Sequence, residues 1–381
     1  MNTKTIAIIV VAILAVAGVG VAIVMTQQPA EKKGLYKLDA DVLFIDMGGM
    51  AGTPKVVDTL EYMYKEVYGD LTDNAKSKTI ADAKADTTFW NTYCKYDKIA
   101  SRDGDTVTYK TVVDDKTTKF TEKSFTGKAT KIIATGTAYP WAAYIFECKK
   151  YDVKPWSSEA KAKTEITNAF QSLVWGGLDK DSYKDSSEDL YNLLPSTYKS
   201  SCTSIGKYNI ETMGADVKAA TNNGAETVFL MGSGTISSAN NATFVTTTET
   251  QGGHILLNNA KSIPATLAMI DQIGVIMGYD EYVDDVIEDM QLRMYKVYTA
   301  AKDKAAADPT KVYKAYFEGS SGKASGASSN GAAVCKFFGW DVSLFDGAAH
   351  DLEDLLTEKP NILMFYTNDD RPMDVKMRVT S

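Results

Sequence analysis

The chain has 381 residues, a net charge of −8 and a hydrophobic content of 44%, which is enough for two globular domains with their own cores. Only four of its 41 basic residues are arginines, and no basic stripe runs along the sequence. Proteins that bind nucleic acid need such stripes to neutralise phosphates. The composition therefore argues against nucleic acid as a partner.

The first element is an uncharged run, IAIIVVAILAVAGVGVAIVM, at residues 6–25. A helix rises about 1.5 Å per residue, so this run covers the roughly 30 Å hydrocarbon core of a bilayer. It predicts an uncleaved signal anchor, with residues 1–33 as anchor and tether, although a cleaved signal peptide stays open. Both alternatives put the body outside the cytoplasm, and the anchor predicts a single-pass protein of the cell membrane.

The body then alternates apolar strands with amphipathic helices. In chain order, the predicted strands are residues 41–46, 131–135, 226–231, 254–257, 312–317 and 361–367. The Thr-, Val- and Lys-rich residues 106–123 predict an antiparallel hairpin. The predicted helices between the strands include residues 55–71, 141–150, 210–222, 332–338 and 351–358. Buried strands that alternate with helices indicate an α/β fold with mainly parallel sheets.

The four cysteines are Cys94, Cys148, Cys202 and Cys335. Their spacing does not suit a zinc site. Two disulfides in an oxidising compartment and buried free thiols are both compatible with the sequence.

Motifs of common enzymes are missing. The sequence has two histidines, His254 and His350, and neither has a second at ligand spacing. No G-x-S-x-G, H-E-x-x-H or P-loop pattern occurs. We therefore expect no enzyme activity, no metal site and no cofactor, and an enzyme acting on a surface polymer is the least favoured function.

A long helical pattern from residue 263 to about residue 304 is interrupted at Gly278-Tyr279-Asp280. Together with Gly274, Gly278 and the strand opening at Lys311-Val312-Tyr313, it resembles the helical connector of ABC-transporter substrate-binding proteins for iron–siderophore, haem and corrinoid ligands. Three other segments resemble segments of this family and occur in the family's order: residues 106–136, 210–231 and 353–363. Lys131 and Asn361 depart from the residues that the family prefers at their positions.

The resemblance covers about residues 103–367 and implies two α/β lobes joined by a connector. It divides the chain into a first lobe at residues 103–262, a connector at 263–305 and a second lobe at 306–381. The implied function is the capture of a metal chelate (siderophore, haem or corrinoid) for an ABC permease and its ATPase. The alternative is a surface-anchored structural or adhesion protein that keeps the fold without transport.

Candidate binding residues follow from a general rule. Ligands of open α/β sheets bind beyond the carboxyl ends of the strands. The polar and aromatic residues at those positions are Thr137, Tyr139, Trp141, Ser233, Thr235, Glu318, Ser320, Asn368 and Arg371. Tyr139 and Trp141 could stack on a flat chelate or macrocycle, and Arg371 could pair with a carboxylate or phosphate in a bidentate way.

The segment at residues 34–102 precedes the part that resembles the family. After residue 305 only two clear strands remain, which is few for a lobe covered on both faces. We therefore expect residues 34–102 to complete the second lobe as a circular permutation, with strand 41–46 in the same sheet as residues 312–317 and 361–367. A separate N-terminal cap on the first lobe is the alternative.

Overall fold

The computed structural model describes residues 40–45, 52–114, 119–177, 188–200, 210–233, 238–258, 260–318, 323–350 and 352–366. The predicted anchor at residues 6–25 lies outside these ranges. Within them, none of the helices combines the length and the apolar character that crossing a bilayer requires.

The described strands and helices follow the predicted alternation. The strands are β1 (Asp41–Ile45), β2 (Ala100–Asp103), β3 (Thr106–Asp114), β4 (Lys119–Thr126), β5 (Lys131–Ala134), β6 (Val174–Gly177), β7 (Lys199–Ser200), β8 (Val228–Ser233), β9 (Gly253–Asn258), β10 (Ala315–Glu318) and β11 (Ile362–Tyr366). The helices are α1 (Val56–Tyr68), α2 (Asp73–Lys76), α3 (Ile80–Ala85), α4 (Thr87–Phe89), α5 (Ala138–Lys150), α6 (Ser158–Ala162), α7 (Thr164–Leu173), α8 (Glu188–Leu193), α9 (Ile210–Asn222), α10 (Ser238–Thr250), α11 (Ile263–Met277), α12 (Asp280–Ala307), α13 (Asn330–Phe337) and α14 (Leu352–Glu358), with a π-helical turn at Trp90–Cys94.

The first sheet has five parallel strands in the order β7-β6-β5-β8-β9. Its central strand, β5, has the apolar sequence KIIA, and three of its four residues are buried. Helices follow these strands, so the apolar strands are covered as a parallel sheet requires. The predicted α/β architecture is thus observed.

The second sheet brings together strands that are far apart in the sequence, β1 on one hand and β10 and β11 on the other. Its three strands are parallel in the order β1-β11-β10. Asp41 pairs with Ile362 on one side of β11, and Ala315 pairs with Ile362 on the other. The predicted pairing of the N-terminal strand with strands beyond residue 305 is confirmed.

The predicted hairpin belongs to a small antiparallel sheet, β2-β3-β4. β2 was not predicted as a strand, and it pairs with β3 across a turn at Gly104. The amide of Leu257 in β9 donates a hydrogen bond to the hydroxyl of Thr111 in β3 at 2.8 Å. This contact holds the small sheet against the edge of the first sheet.

The connector is interrupted at Gly278, where the sequence predicts an interruption. α11 ends at Gly278, whose φ of +78° is left-handed, and α12 begins two residues later. The amide of Tyr279 bonds the carbonyl of Gly274, and that of Gly278 bonds the carbonyl of Val275. These are the two hydrogen bonds of a Schellman motif, which ends a helix. The predicted interruption is therefore a complete helix end, and the connector consists of two helices.

Arg102 fixes the break between α11 and α12. Its guanidinium donates to the Asp280 carboxylate at the start of α12 and to the Val275 carbonyl near the end of α11, both at 2.8 Å. A third hydrogen bond reaches the Gly127 carbonyl at 2.8 Å. The helix macrodipole stabilises a cation at a helix C-terminus and an acid at a helix N-terminus. Arg102 thus fixes the angle between the two helices by binding the end of one and the start of the other.

α11 lies deepest in the molecule, with 13 of its 15 residues buried. Among them is Asp271, which accepts hydrogen bonds from the hydroxyl of Tyr96 at 2.9 Å and lies 3.5 Å from the ammonium of Lys98. Burial raises the pKa of the Asp271 carboxyl. A helix that is buried on every side belongs to the core, so α11 is part of the core.

Helix α1 is held on α12 by Arg293. The guanidinium donates to both carboxylate oxygens of Glu61, at 2.8 and 2.6 Å, and also pairs with Asp58. Bidentate pairs of this kind are among the stronger polar contacts. Through β1 and α1, the N-terminal segment is therefore attached both to the second sheet and to α12.

Cys94, Cys148 and Cys335 are buried free thiols, whereas Cys202 lies outside the described residues. Burial raises the pKa of the Cys94 and Cys148 thiols to about 12. Such thiols stay protonated and unreactive at neutral pH.

Candidate functional site

The segments that follow the strands of the two parallel sheets meet. Gly52, which follows β1, donates its amide hydrogen to the hydroxyl of Thr266 at 2.7 Å. Its φ is +98°, and a Cβ there would lie only 2.5 Å from the carbonyl oxygen of Ala260, which follows β9, and 2.9 Å from Nδ2 of Asn330. We call this meeting place the junction. It lies beyond the carboxyl ends of strands from both sheets, where α/β proteins bind ligands.

Lys55 crosses the junction. It stands directly before α1, on the side of the second sheet, and its Nζ lies 4.6 Å from the ring centroid of Trp141 and 5.0 Å from that of Trp156. Trp141 belongs to the first turn of α5, which follows β5 of the first sheet. The Lys55 side chain is only 12% exposed. A partly desolvated ammonium over indole rings is attracted by their electron-rich faces, so Lys55 links the two sides.

Asp189 provides a polar contact to Lys55. Its Oδ2 lies 3.5 Å from the Lys55 ammonium, and its Oδ1 lies 2.9 Å from the ammonium of Lys161. Asp189 is 34% exposed, so solvent screens both pairs and each contributes little on its own. The rings therefore contribute more than the acid to holding Lys55.

Trp141, Tyr144 and Trp156 form what we call the aromatic cluster. Tyr144 and Trp156 stack at 4.4 Å between centroids, and Trp141 meets Trp156 edge-on at 6.3 Å. Trp156 has a φ of +65°, a rare conformation for a bulky residue. Strain of this kind costs of the order of 1–3 kcal/mol and collects at functional sites.

Both indoles of the aromatic cluster keep an unused donor. The Nε1 atoms of Trp141 and Trp156 are buried and have no hydrogen-bond partner among the described residues. A buried polar group without a partner costs about 1–3 kcal/mol and is uncommon in native proteins. A ligand with acceptor atoms could supply these partners.

Two of the predicted binding residues are more buried than expected. Trp141 has no exposed surface and Tyr139 has 2%, and the Tyr139 hydroxyl donates to the carbonyl of Gly232 in β8. Both lie on α5, nine of whose 13 residues are buried. Alanine at Trp141 would therefore empty a core position and destabilise the fold as well as change the site.

The other predicted residues lie as follows. Thr137 is half-buried directly before α5, Ser233 ends β8, and Glu318 ends β10 and accepts a hydrogen bond from Tyr316 at 3.3 Å. Thr235, Ser320, Asn368 and Arg371 lie outside the described residues. A ligand-binding role for all nine stays a prediction.

Sequence reasoning missed Gly52, Lys55, Tyr144, Trp156 and Asp189. The one available signal was position, since Gly52 lies between a predicted strand and a predicted helix and Lys55 is the first residue of that helix. Trp156 comes from the turn between α5 and α6, Asp189 comes from α8, and no spacing marks them as neighbours. Within the described part of the chain, no group of three or more His, Cys, Asp or Glu side chains could hold a metal ion.

The chain is similar to solved structures of other proteins. The structural neighbours are periplasmic solute-binding proteins. One is a periplasmic binding protein from Veillonella parvula, 11% identical over 72% of this chain and 83% of that chain, with a TM-score of 0.43. A periplasmic solute-binding protein from the same organism is 15% identical over 72% of this chain and 73% of that chain, with a TM-score of 0.44.

The third neighbour is the periplasmic haem-binding protein BhuT in complex with two haems, 13% identical over 64% of this chain and 78% of that chain, with a TM-score of 0.36. No family model and no curated protein matches the chain.

Proposed function

We propose that the protein is an extracytoplasmic substrate-binding protein that captures a metal chelate (a siderophore, haem or corrinoid) and delivers it to an ABC permease with its ATPase. The observation that carries the proposal is the junction, where segments following the strands of two separate parallel sheets touch each other. A ligand held there contacts both sides at once. Closure of two lobes around such a ligand is a common mode of capture.

The aromatic cluster suits a ligand of this chemistry. Indole and phenol rings stack on flat conjugated systems. The two indole N–H groups, which have no partner among the described residues, can donate to ligand acceptors. Haem carboxylates, corrin amides and siderophore carbonyls all provide acceptors. In this proposal Lys55 occupies the rings in the unliganded protein and moves when a ligand enters.

The same contact favours a second candidate function. Lys55 covers the rings, so the junction is closed by the protein's own side chains. A closed junction of this kind suits a surface-anchored structural or adhesion protein that uses the fold without transport. The two functions differ in whether a solute displaces Lys55.

The proposed organisation attaches the body to the cell membrane through residues 6–25. Residues 34–102 complete the second lobe in this proposal, and the pairing of β1 with β11 and the contacts of Arg293 with α1 support it. The circular permutation relative to the resembled family rests on the same contacts.

A thermal-shift screen of the full chain tests the binding role. Haem, cyanocobalamin and ferrioxamine B are added in turn, and we expect at least one to raise the melting temperature because it binds only the folded state. No shift with any of them would favour the structural alternative.

A matched pair of variants then places the site. Trp156→Phe keeps a ring but removes the indole N–H donor, so it should weaken binding of the ligand about tenfold or less. Trp175→Phe is the control, because Trp175 lies in β6 near Lys131 at the amino end of β5. Equal affinities in the two variants would remove the aromatic cluster from the site.

A further inference from the structure

A concave site lies at the opposite edge of the second sheet, β1-β11-β10, from the junction. A cavity of about 410 Å³ opens beside Tyr313, which comes just before β10. Its walls also include Tyr68 at the end of α1 and the Phe338-Gly339-Trp340 corner after α13. Helices that follow parallel strands return to the amino edge, so this cavity is separate from the junction at the carboxyl edge.

The walls of the cavity are aromatic and held in place. Phe338 stacks on Trp340 at 4.8 Å, and Tyr68 meets Tyr313 edge-on at 5.2 Å. The indole N–H of Trp340 donates to the Tyr68 hydroxyl oxygen at 2.9 Å, which leaves the Tyr68 hydroxyl hydrogen available as a donor. Fixed rings around a volume of this size are typical of small-molecule sites.

The rim of the cavity is positively charged. Lys304 and Lys311 line it and are exposed, and the Lys311 ammonium lies 4.7 Å from the Tyr313 ring centroid. The acid among the described lining residues, Asp308, already accepts hydrogen bonds from the hydroxyl and amide of Thr310, at 2.7 and 3.3 Å. Val312 adds an apolar side chain that is 66% exposed at the mouth.

We propose that this cavity binds a small aromatic carboxylate. The ring of the ligand packs among Tyr68, Tyr313 and Phe338, and its carboxylate accepts hydrogen bonds from Lys311 and the Tyr68 hydroxyl. The ammonium groups complement the carboxylate of such a ligand, and the aromatic walls complement its ring. The protein has a net charge of −8, so long-range attraction does not account for binding of an anion. Binding of the carboxylate therefore depends on the nearby lysines.

Isothermal titration of the full chain with 1-naphthoate tests this inference, and neutral 1-naphthalenemethanol is the comparison ligand. We expect saturable binding of naphthoate and binding of the alcohol at least tenfold weaker. Lys311→Gln should weaken naphthoate about tenfold, as expected for loss of one charge-assisted hydrogen bond.

Lys302→Gln is the matched control, because Lys302 lies on the same helix as Lys304 but over the ring of Tyr298, outside the cavity. It should leave naphthoate affinity unchanged, and so should Trp156→Phe at the junction. The inference is overturned by absence of saturable naphthoate binding, by equal affinity for the alcohol, or by equal losses in Lys311→Gln and Lys302→Gln. Because Trp156 reports on the junction alone, failure here is distinguishable from failure of the proposed chelate site.

Discussion

Replacement of Lys55 by methionine probes the contact that crosses the junction. Methionine keeps an unbranched apolar stem of similar length, so it leaves no cavity. It removes the ammonium that lies 4.6 Å from Trp141 and 5.0 Å from Trp156, and it removes the pair with Asp189. The change therefore isolates the charge from the packing.

The expected loss of stability follows from those contacts. Cation–π contacts contribute about 0.5–1 kcal/mol when exposed and about 2 kcal/mol when desolvated, and Lys55 is 12% exposed. The screened pair with Asp189 adds less than about 1 kcal/mol. The variant also avoids the cost of burying an ammonium, so we expect a net loss of about 1–2 kcal/mol in the free energy of unfolding.

Urea unfolding of the full chain, followed by tryptophan fluorescence, measures this loss. Lys161→Met is the control, because Lys161 pairs with the same Asp189 at 2.9 Å from a position that is 52% exposed. It should change the free energy of unfolding by less than about 0.5 kcal/mol. Equal losses in the two variants, or no loss in Lys55→Met, would refute the idea that the rings hold Lys55 across the junction.

Substitutions at three further positions test the framework that α11 and α12 provide. Gly278→Ala should lower the free energy of unfolding by about 1–2 kcal/mol, because φ at this position is +78° and left-handed backbone is costly for alanine; an unchanged urea midpoint would contradict the helix break. Arg293→Gln should lower the free energy of unfolding by about 1–3 kcal/mol because it leaves Glu61 and Asp58 without their cation. Arg293→Lys should recover only part of this loss, and full recovery would argue against the bidentate pair. Asp271→Asn should raise the melting temperature at pH 7, because burial raises the pKa of Asp271 and the folded state therefore favours the neutral carboxyl. The gain should be largest at neutral pH and vanish as the pH falls below about 4, where the unfolded chain is also protonated; a gain that does not depend on pH would contradict this cause.

The strands could be predicted because their apolar runs are short and bounded by glycine or polar residues. β5, β8 and β9 form within two residues of their predicted positions. The pairing of β1 with β11 was also predictable, because two strands after residue 305 leave a parallel sheet short of a partner. These features depend on local pattern and on the need to cover a sheet.

The break at Gly278 could be located in the sequence but its extent could not. Glycine weakens a helix by about 1 kcal/mol, which allows either a bend or an end. Whether the helix bends or ends at Gly278 depends on Arg102, which comes from a distant strand and bonds both helix ends. Contacts of that kind have no local signature.

The chemistry of the junction was predicted only in part. Trp141 was placed after β5 correctly, but its burial depends on Trp156 and Lys55, which are distant in sequence. A lysine after Pro54 looks like an ordinary exposed charge at the start of a helix. Side chains that meet across two sheets are determined by tertiary packing, which periodicity does not encode.

Hydrogen exchange of the full chain, alone and with haem, cyanocobalamin or ferrioxamine B, tests whether a ligand is captured at the junction. With at least one of these ligands, we expect slower amide exchange at residues 52–56 and 137–141, on the two sides of the junction. We expect no change at residues 311–317, on the opposite edge of the second sheet. Unchanged exchange at the junction with all three ligands, or slowing confined to the opposite edge, would contradict capture at the junction.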